Sequence, residues 1–275
     1  MAAPSADATR WSDEPVAEAG LVLADANVYV GRPAVPRFHS GPVTVPGLLR
    51  EFDRLGVDAG LVTHVAAKEY SPQFGNEIVI DEVATEPRLQ ACLTLLPPST
   101  GETWAPGQLI DALRVRDVRA VRLFPGYSLH RYPFHPRVLG DLFATLEGAR
   151  VLTLIDFDLG RRDEADWPAL YEVAEAFPEL PFLLIRPGGR SDRGLYPLLE
   201  YFPNVYVETG GYWVHRGLER VAERFGAHRL VFGSGFPYWT LSGAVYHVAT
   251  ARLEEDDRAA IASGNLRRLL GEVRW

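Results

Sequence analysis

Cysteine is almost missing from this chain. Cys92 stands alone among 275 residues, so no intramolecular disulfide can form and a reducing compartment fits. Lysine is almost missing as well. Of 28 basic residues all but Lys68 are arginine, a skew that reads as nucleotide composition without mechanistic content. There is no basic run, and the formal net charge is -8. That argues against nucleic acid and against an anionic membrane surface as partners. No apolar stretch reaches the length of a membrane span. The opening MAAPSADATRWSDEP is polar and acidic, without the apolar segment of a signal peptide. A cytoplasmic protein is expected.

What the chain does have is alternation. Residues 1–18 read as a loose, Ala-rich tail, and 19–275 read as one domain. In that domain, short apolar or β-branched runs alternate with longer segments of helical spacing. The runs are LVLADA (21–26), AGLVTHV (59–65), LQACLTLL (89–96), VRAVRLF (118–124), RVLTLIDF (150–157), PFLLIR (181–186), NVYVET (204–209) and RLVFGS (229–234). TVPGLLREFDRLG predicts a helix with Thr44 as N-cap and Gly56 as its stop. DWPALYEVAEAFP predicts another, with Asp166 as N-cap and Pro168 in the first turn. GNEIVIDEVATEP, RGLERVAERFG and EEDDRAAIASGNLRRLL complete the predicted helices. Eight strand signals followed by helix signals point to a (β/α)8 TIM barrel in the α/β class. The alternative, an open doubly wound sheet, has a Gly-rich turn after its first strand, and ANVYVGRP is not one.

In such a barrel the chemistry lies at the C-terminal ends of the strands. These ends carry Asp25, Asn27 and Tyr29, then His64, Arg122, Asp156 with Asp158, Arg186, Glu208 and Ser234. Residues two apart on a strand share a face, so Asp25, Asn27 and Tyr29 are expected to line up. They either bind substrate and move protons or form a polar plug with internal hydrogen bonds. Arg122 and Arg186 either clamp a carboxylate or phosphate or neutralise Asp156, Asp158 and Glu208. His64 is the leading general acid–base candidate, because histidine titrates near neutrality; the alternative is a structural histidine. Asp156 with Asp158, or with Glu208, makes either an acid/base pair or an oxygen-rich Mg2+ site. Ser234 lies in GSG, which is not a nucleophile elbow. His130 and His135 fall in an aromatic loop, GYSLHRYPFHP, that suits either a lid or packing. His215 is another candidate near the mouth, and PGGR (187–190) suits either an anion or a simple turn.

The motifs resemble a family. LADANVYVG, GVDAGLVTH followed by YSPQFGN, ACLTLLPP, YPLLEYFPNVYVETGGY, HRLVFGSGFP and IASGNLRRLL, in that order, are similar to the amidohydrolase superfamily in its amidohydrolase-related (amidohydrolase 2) branch. The resemblance covers about residues 20–271 and implies a barrel with metal-dependent hydrolase or decarboxylase chemistry. It also marks departures. The family's His-X-His on the first strand corresponds to Asn27 and Tyr29. Its histidines on strands five and six correspond to about Asp156 and Arg186, and its strand-eight Asp to Gly235. Only Asp25, ahead of the pair, remains. These residues are poor ligands for a transition metal, and some lactonases of the family hydrolyse without one. The expectation is therefore a metal-independent hydrolase or lyase for a small anionic substrate, a carboxylate, lactone or amide. Arg122 and Arg186 would hold the anion, with Glu208 and Ser234 lining the site. His64 with Asp25 or Asp156 would move protons, and Asn27 and Tyr29 would orient the reacting group. No metal is expected, with Mg2+ as the alternative. A catalytically silent barrel that binds a metabolite or pairs with an active paralogue is the second reading. A homo- or hetero-oligomer is left open.

Overall fold

The computed structural model describes residues 20–34, 42–126, 129–159, 164–188 and 191–275. The expected tail over 1–18 lies outside them. The eight strands are β1 (Leu23–Val30), β2 (Val57–His64), β3 (Leu89–Thr94), β4 (Ala120–Leu123), β5 (Leu152–Ile155), β6 (Phe182–Leu184), β7 (Val205–Glu208) and β8 (Leu230–Val231). They form one sheet in sequence order, each strand parallel to the next from β1 to β8. The last strand returns to the first: Ala26 N–H donates to Phe232 O at 3.0 Å, Gly235 N–H to Asn27 O at 2.7 Å and Tyr29 N–H to Phe236 O at 2.8 Å. The sheet is thereby a (β/α)8 TIM barrel, as the alternation predicts.

The helices are α1 (Val45–Leu55), α2 (Val65–Glu69), α3 (Pro72–Val83), α4 (Pro106–Val115), α5 (Pro136–Gly148), α6 (Trp167–Ala176), α7 (Asp192–Tyr201), α8 (Gly217–Phe225), α9 (Leu241–Ala249), α10 (Glu255–Ala259) and α11 (Asn265–Gly271). Thr44 Oγ1 accepts from Gly47 N–H at the start of α1, and Gly56 ends that helix at φ 68°. The Asp166 carboxylate accepts from Ala169 N–H at the start of α6. These are the caps that the sequence predicts. The sequence analysis predicts no helix at α2, α4, α5, α7 or α9. Neither α4 nor α9 has a side-chain cap, and α7 holds Pro197 in its interior. The cap of α5 is a histidine, His135, and α2 is only 5 residues long. One helix is expected at the C-terminus; α10 and α11 are instead joined through a π-helical turn, Ala260–Gly264.

Two apolar layers hold the barrel. One large cluster fills the space between strands and outer helices, with Val28, Leu48, Phe52, Leu93, Leu123, Phe143 and Leu198 among its members. A smaller one fills the interior: Ala24, Ala26, Leu61, Cys92, Ala120, Leu154, Leu183 and Val231, stoppered by Leu266 and Leu269 of α11. Cys92 is core, buried in β3.

The first strand departs from simple alternation. Ala24 and Ala26 face the interior cluster, yet Val28 and Val30 belong to the outer one. The ladder to β2 shifts register between Asp25 and Val28. The bulge moves the inward face from even to odd positions. The expected shared face of Asp25, Asn27 and Tyr29 is therefore corrected. Tyr29 joins the mouth cluster with Val65, Phe124 and Tyr238. Asp25 lies on the other side of the bulge and turns to backbone N–H groups instead.

Candidate active site

The C-terminal mouth is charged, and its charged groups are largely buried. Asp25, Asn27, Tyr29, Lys68, Arg122, Asp156, Glu208 and Ser234 are all buried. Asp25 Oδ1 accepts Asn27 N–H and Ser234 N–H, each at 2.9 Å, and so ties β1 to the end of β8. Burial raises the Asp25 carboxyl to about 7, against the Ser234 hydroxyl and those N–H groups. Glu208 Oε2 accepts Arg186 N–H at 3.1 Å and Oε1 accepts Gly210 N–H at 2.9 Å. Burial raises it too, to about 7, in spite of Arg186. Ser234 Oγ accepts Phe236 N–H at 3.1 Å; this is a turn contact rather than a nucleophile's geometry.

Three cations converge on one carboxylate. Asp156 Oδ2 accepts the Tyr29 hydroxyl at 3.1 Å and Oδ1 accepts Asp158 N–H at 2.9 Å. Burial alone would raise the Asp156 carboxyl; Lys68, Arg122 and Arg186 overcome it and hold it below the ordinary range. Burial drives the Tyr29 phenol well above its ordinary range, so it stays a donor. Arg122 Nη2 donates to Asn27 Oδ1 at 2.8 Å, while Arg122 Nε and Nη1 and Asn27 Nδ2 have no hydrogen-bond partner among the described residues. The Arg186 guanidinium stacks 4.3 Å from the Trp239 ring centroid. Asp158 and Arg186 both adopt left-handed backbone, φ 49° and 47°, in the turns that follow β5 and β6. Non-glycine residues rarely take that conformation, and it concentrates at functional sites. At Gly235, φ 74°, a Cβ would stand 3.5 Å from Asn27 Nδ2 and 3.6 Å from Arg186 Cδ. A side chain at this position would thus point into the cluster.

His64 is placed elsewhere. Its Nδ1 accepts Ala66 N–H at 3.1 Å and caps α2. The Nε2 edge of its ring packs so closely on Gly31 that a Cβ there would sit 2.7 Å away. Burial lowers its pKa. His130 Nε2 contacts Lys68 O at 3.1 Å, His135 caps α5, and His215 is exposed. In PGGR, Gly188 O accepts the Ser191 hydroxyl at 2.7 Å; residues 189–190 lie outside the described residues.

The residue that the sequence reading passed over is Lys68. The single lysine is 4% exposed, pairs with Asp158 Oδ1 at 2.9 Å and sits 4.1 Å from the Tyr238 ring centroid. Its rarity was a usable signal. What the sequence did not carry is that a single-turn helix right after β2 delivers it into the mouth.

The donor set can be tested against a divalent ion. Among the described residues no group of three or more His, Cys, Asp or Glu side chains is placed to hold one. Asp25 and Glu208 are engaged by backbone N–H groups, and Lys68, Arg122 and Arg186 surround Asp156 with positive charge. These residues do not fit a transition metal, nor an oxygen-coordinated Mg2+.

The closed eight-stranded barrel and its polar strand ends together define a TIM-barrel protein with a charged mouth. The chain belongs to the amidohydrolase family Amidohydro_2, whose model matches residues 62–271. Solved structures with the same fold include 5-carboxyvanillate decarboxylase LigW from Sphingomonas paucimobilis, at 19% identity and TM-score 0.68, covering 91% of this chain and 99% of that one. A dihydroxybenzoic acid decarboxylase from Polaromonas sp. JS666, with manganese and the inhibitor 2-nitroresorcinol bound, matches at 15% identity and TM-score 0.64, covering 82% and 85%. A structure from Pseudomonas putida assigned as a 2-pyrone-4,6-dicarboxylic acid hydrolase matches at 16% identity and TM-score 0.68, covering 92% and 98%. At these identities the likeness is one of fold. No curated protein is similar enough in sequence to match. No helix among the described residues is long and apolar enough to cross a membrane.

Proposed function

We propose that this barrel is a metal-independent hydrolase or lyase for a small carboxylate, lactone or amide. The observation that carries the reading is Arg122: it is 1% exposed, yet two of its nitrogens have no partner among the described residues. A buried donor left unpaired costs about 1–3 kcal/mol, so a ligand that supplies acceptor oxygens recovers that cost. Arg122 and Arg186 are the anion-binding pair, and Asn27 Nδ2 is a further free donor beside them. Asp25, held near neutrality, is the group able to take or give a proton at working pH. Asp156 stays ionised and orients the Tyr29 hydroxyl. His64 acts as a helix cap in this reading, and Lewis-acid chemistry has no place in it because the donor set suits no divalent ion. The solved structures of like fold include decarboxylases of aromatic acids, which supports aromatic carboxylates as the first compounds to try.

The silent barrel remains the second reading because of one observation: the mouth groups are buried and largely tied to one another, Lys68 to Asp158, Asp156 to Tyr29 and Arg122 to Asn27. Elemental analysis and a turnover screen with lactones, amides and aromatic carboxylates separate the readings. The enzyme reading expects turnover that survives chelation and far less than one equivalent of Zn, Fe, Mn or Co per chain. A stoichiometric ion that survives dialysis sinks metal independence; binding of a screened anion with no turnover favours the silent barrel.

A further inference from the structure

Lys68 and Arg122 share the same two aromatic faces. Lys68 Nζ lies 5.3 Å from the Tyr29 ring centroid and 5.7 Å from that of Phe124. The Arg122 guanidinium lies 4.9 Å and 5.6 Å from the same two centroids. Two like charges gathered on one pair of rings repel each other in a low-dielectric site. Asp156 and Asp158 offset part of that repulsion. Three further features show that the arrangement is incomplete. Arg122 Nε and Nη1 and Asn27 Nδ2 are buried and without partners among the described residues. The Lys68 ammonium has three N–H donors, and among the described residues the one acceptor oxygen bonded to it is Asp158 Oδ1. Asp158 itself is held in left-handed backbone.

The helix that brings Lys68 in is secured from several sides. His64 caps it, and His130 Nε2 contacts the Lys68 carbonyl at 3.1 Å. Glu69, the next residue, accepts the Ala34 N–H at 2.7 Å through Oε2 and the Tyr238 hydroxyl through Oε1. The ammonium is therefore fixed over the mouth rather than swinging in solvent.

We propose that Lys68 is a ligand-binding residue: its ammonium and the free N–H groups of Arg122 together receive one carboxylate of a small planar molecule lying against Tyr29 and Phe124. This rests on the anion-binding reading above and adds the third cation to it. Lys68 keeps its Asp158 bond and uses a second N–H for the ligand, so no ion pair breaks on binding. The aromatic faces favour a flat conjugated carboxylate over a tetrahedral anion.

One lysine in the chain makes the test direct. Protein grown with 13C,15N-lysine carries one labelled side chain, Lys68. It is titrated with benzoate and, separately, with inorganic phosphate, while thermal unfolding is followed in the same samples. The expected result is a saturable shift of the Lys68 signal with benzoate, at the midpoint where benzoate also raises the unfolding temperature, and a weaker response to phosphate. Lys68→Met should weaken benzoate by about tenfold and Lys68→Arg by much less. If benzoate stabilises the protein but leaves the Lys68 signal unmoved, Lys68 is only an internal counter-ion; the proposal falls and the anion-binding reading stands. If neither anion changes the unfolding temperature or the signal, both fall. Should Lys68→Met fail to fold, the wild-type titration alone decides.

Discussion

Arg122 and Arg229 are both buried arginines, at opposite ends of the barrel wall, and they are treated in opposite ways. Arg229 precedes β8 at the floor. Its Nε donates to Val205 O at 2.8 Å, Nη1 to Leu199 O at 3.0 Å and Nη2 to Phe202 O at 2.6 Å. Every nitrogen of that guanidinium serves a backbone carbonyl, and the loop between α7 and β7 is pinned as a result. Arg122, in β4 toward the mouth, uses one nitrogen on Asn27 and leaves two unpaired. Asparagines repeat the contrast. Asn265 Nδ2 donates to two carbonyls at the floor, whereas Asn27 Nδ2 at the mouth has no partner. Arg229 and the Asn265 amide nitrogen spend their donors on the fold, whereas Arg122 and Asn27 keep donors in reserve, which is how a binding site differs from a structural network.

The sharpest test of this contrast is pH. Asp25 and Glu208 are each raised to about 7 when folded, from ordinary values of 3.8 and 4.5. The folded state therefore binds their protons more tightly than the unfolded chain. That contribution to stability is complete below about pH 4 and is lost as pH rises through 7. His64, His130, His228 and His247, whose pKa values burial lowers, act in the opposite sense: their contribution is present above 6.5 and is lost as pH falls. Comparing wild type with Asp25→Asn/Glu208→Gln cancels the histidines. Between pH 4 and 8 wild type should lose on the order of 7 kcal/mol relative to the double variant in urea unfolding. A flat difference would show that these carboxyls titrate as ordinary ones.

Next in size are the two arginines. Arg229→Met strands three buried carbonyls and should cost about 3 kcal/mol or more in unfolding free energy, with any stabilisation by benzoate unchanged. Arg122→Met should cost only about 1–2 kcal/mol, since it orphans one amide oxygen, but should abolish the rise in unfolding temperature with benzoate. Equal costs, or a benzoate response that survives Arg122→Met, would break the distinction between floor and mouth.

The smallest effect separates cap from catalyst at His64. Asn is a good N-cap, so His64→Asn should leave stability within about 0.5 kcal/mol and leave benzoate binding intact, whereas His64→Ala should cost about 1 kcal/mol. A turnover loss in His64→Asn, once a substrate is found, would return His64 to the catalytic role that its place at the end of β2 suggests.

Most of the fold was legible. Thr44, Gly56 and Asp166 are caps whose chemistry is local, and the strand runs are visible because parallel strands buried on both faces are continuously apolar. The uncapped α4 and α9, and α7 with Pro197 inside it, were not visible, because packing rather than local signals holds them. At the site, the strand-end rule found Asp25, Asn27, Tyr29, Arg122, Asp156, Arg186, Glu208 and Ser234 in the mouth region. It failed where geometry is not periodic. The bulge in β1 separates Asp25 from Tyr29, and the single turn of α2 carries Lys68 inward.

Sequence alone determined that eight strand–helix units would close into a barrel with charged residues at one rim, because hydrophobic period and turn chemistry are written in neighbouring residues. Tertiary structure alone decided which of those charges meet. Lys68 and Asp158 are 90 positions apart, Tyr29 and Asp156 are 127 apart, and Ser234 reaches Asp25 across 209. Their partnership depends on strand register and on barrel closure. So does the shortage of partners at Arg122: whether a buried donor finds an acceptor is settled only when the walls around it are in place.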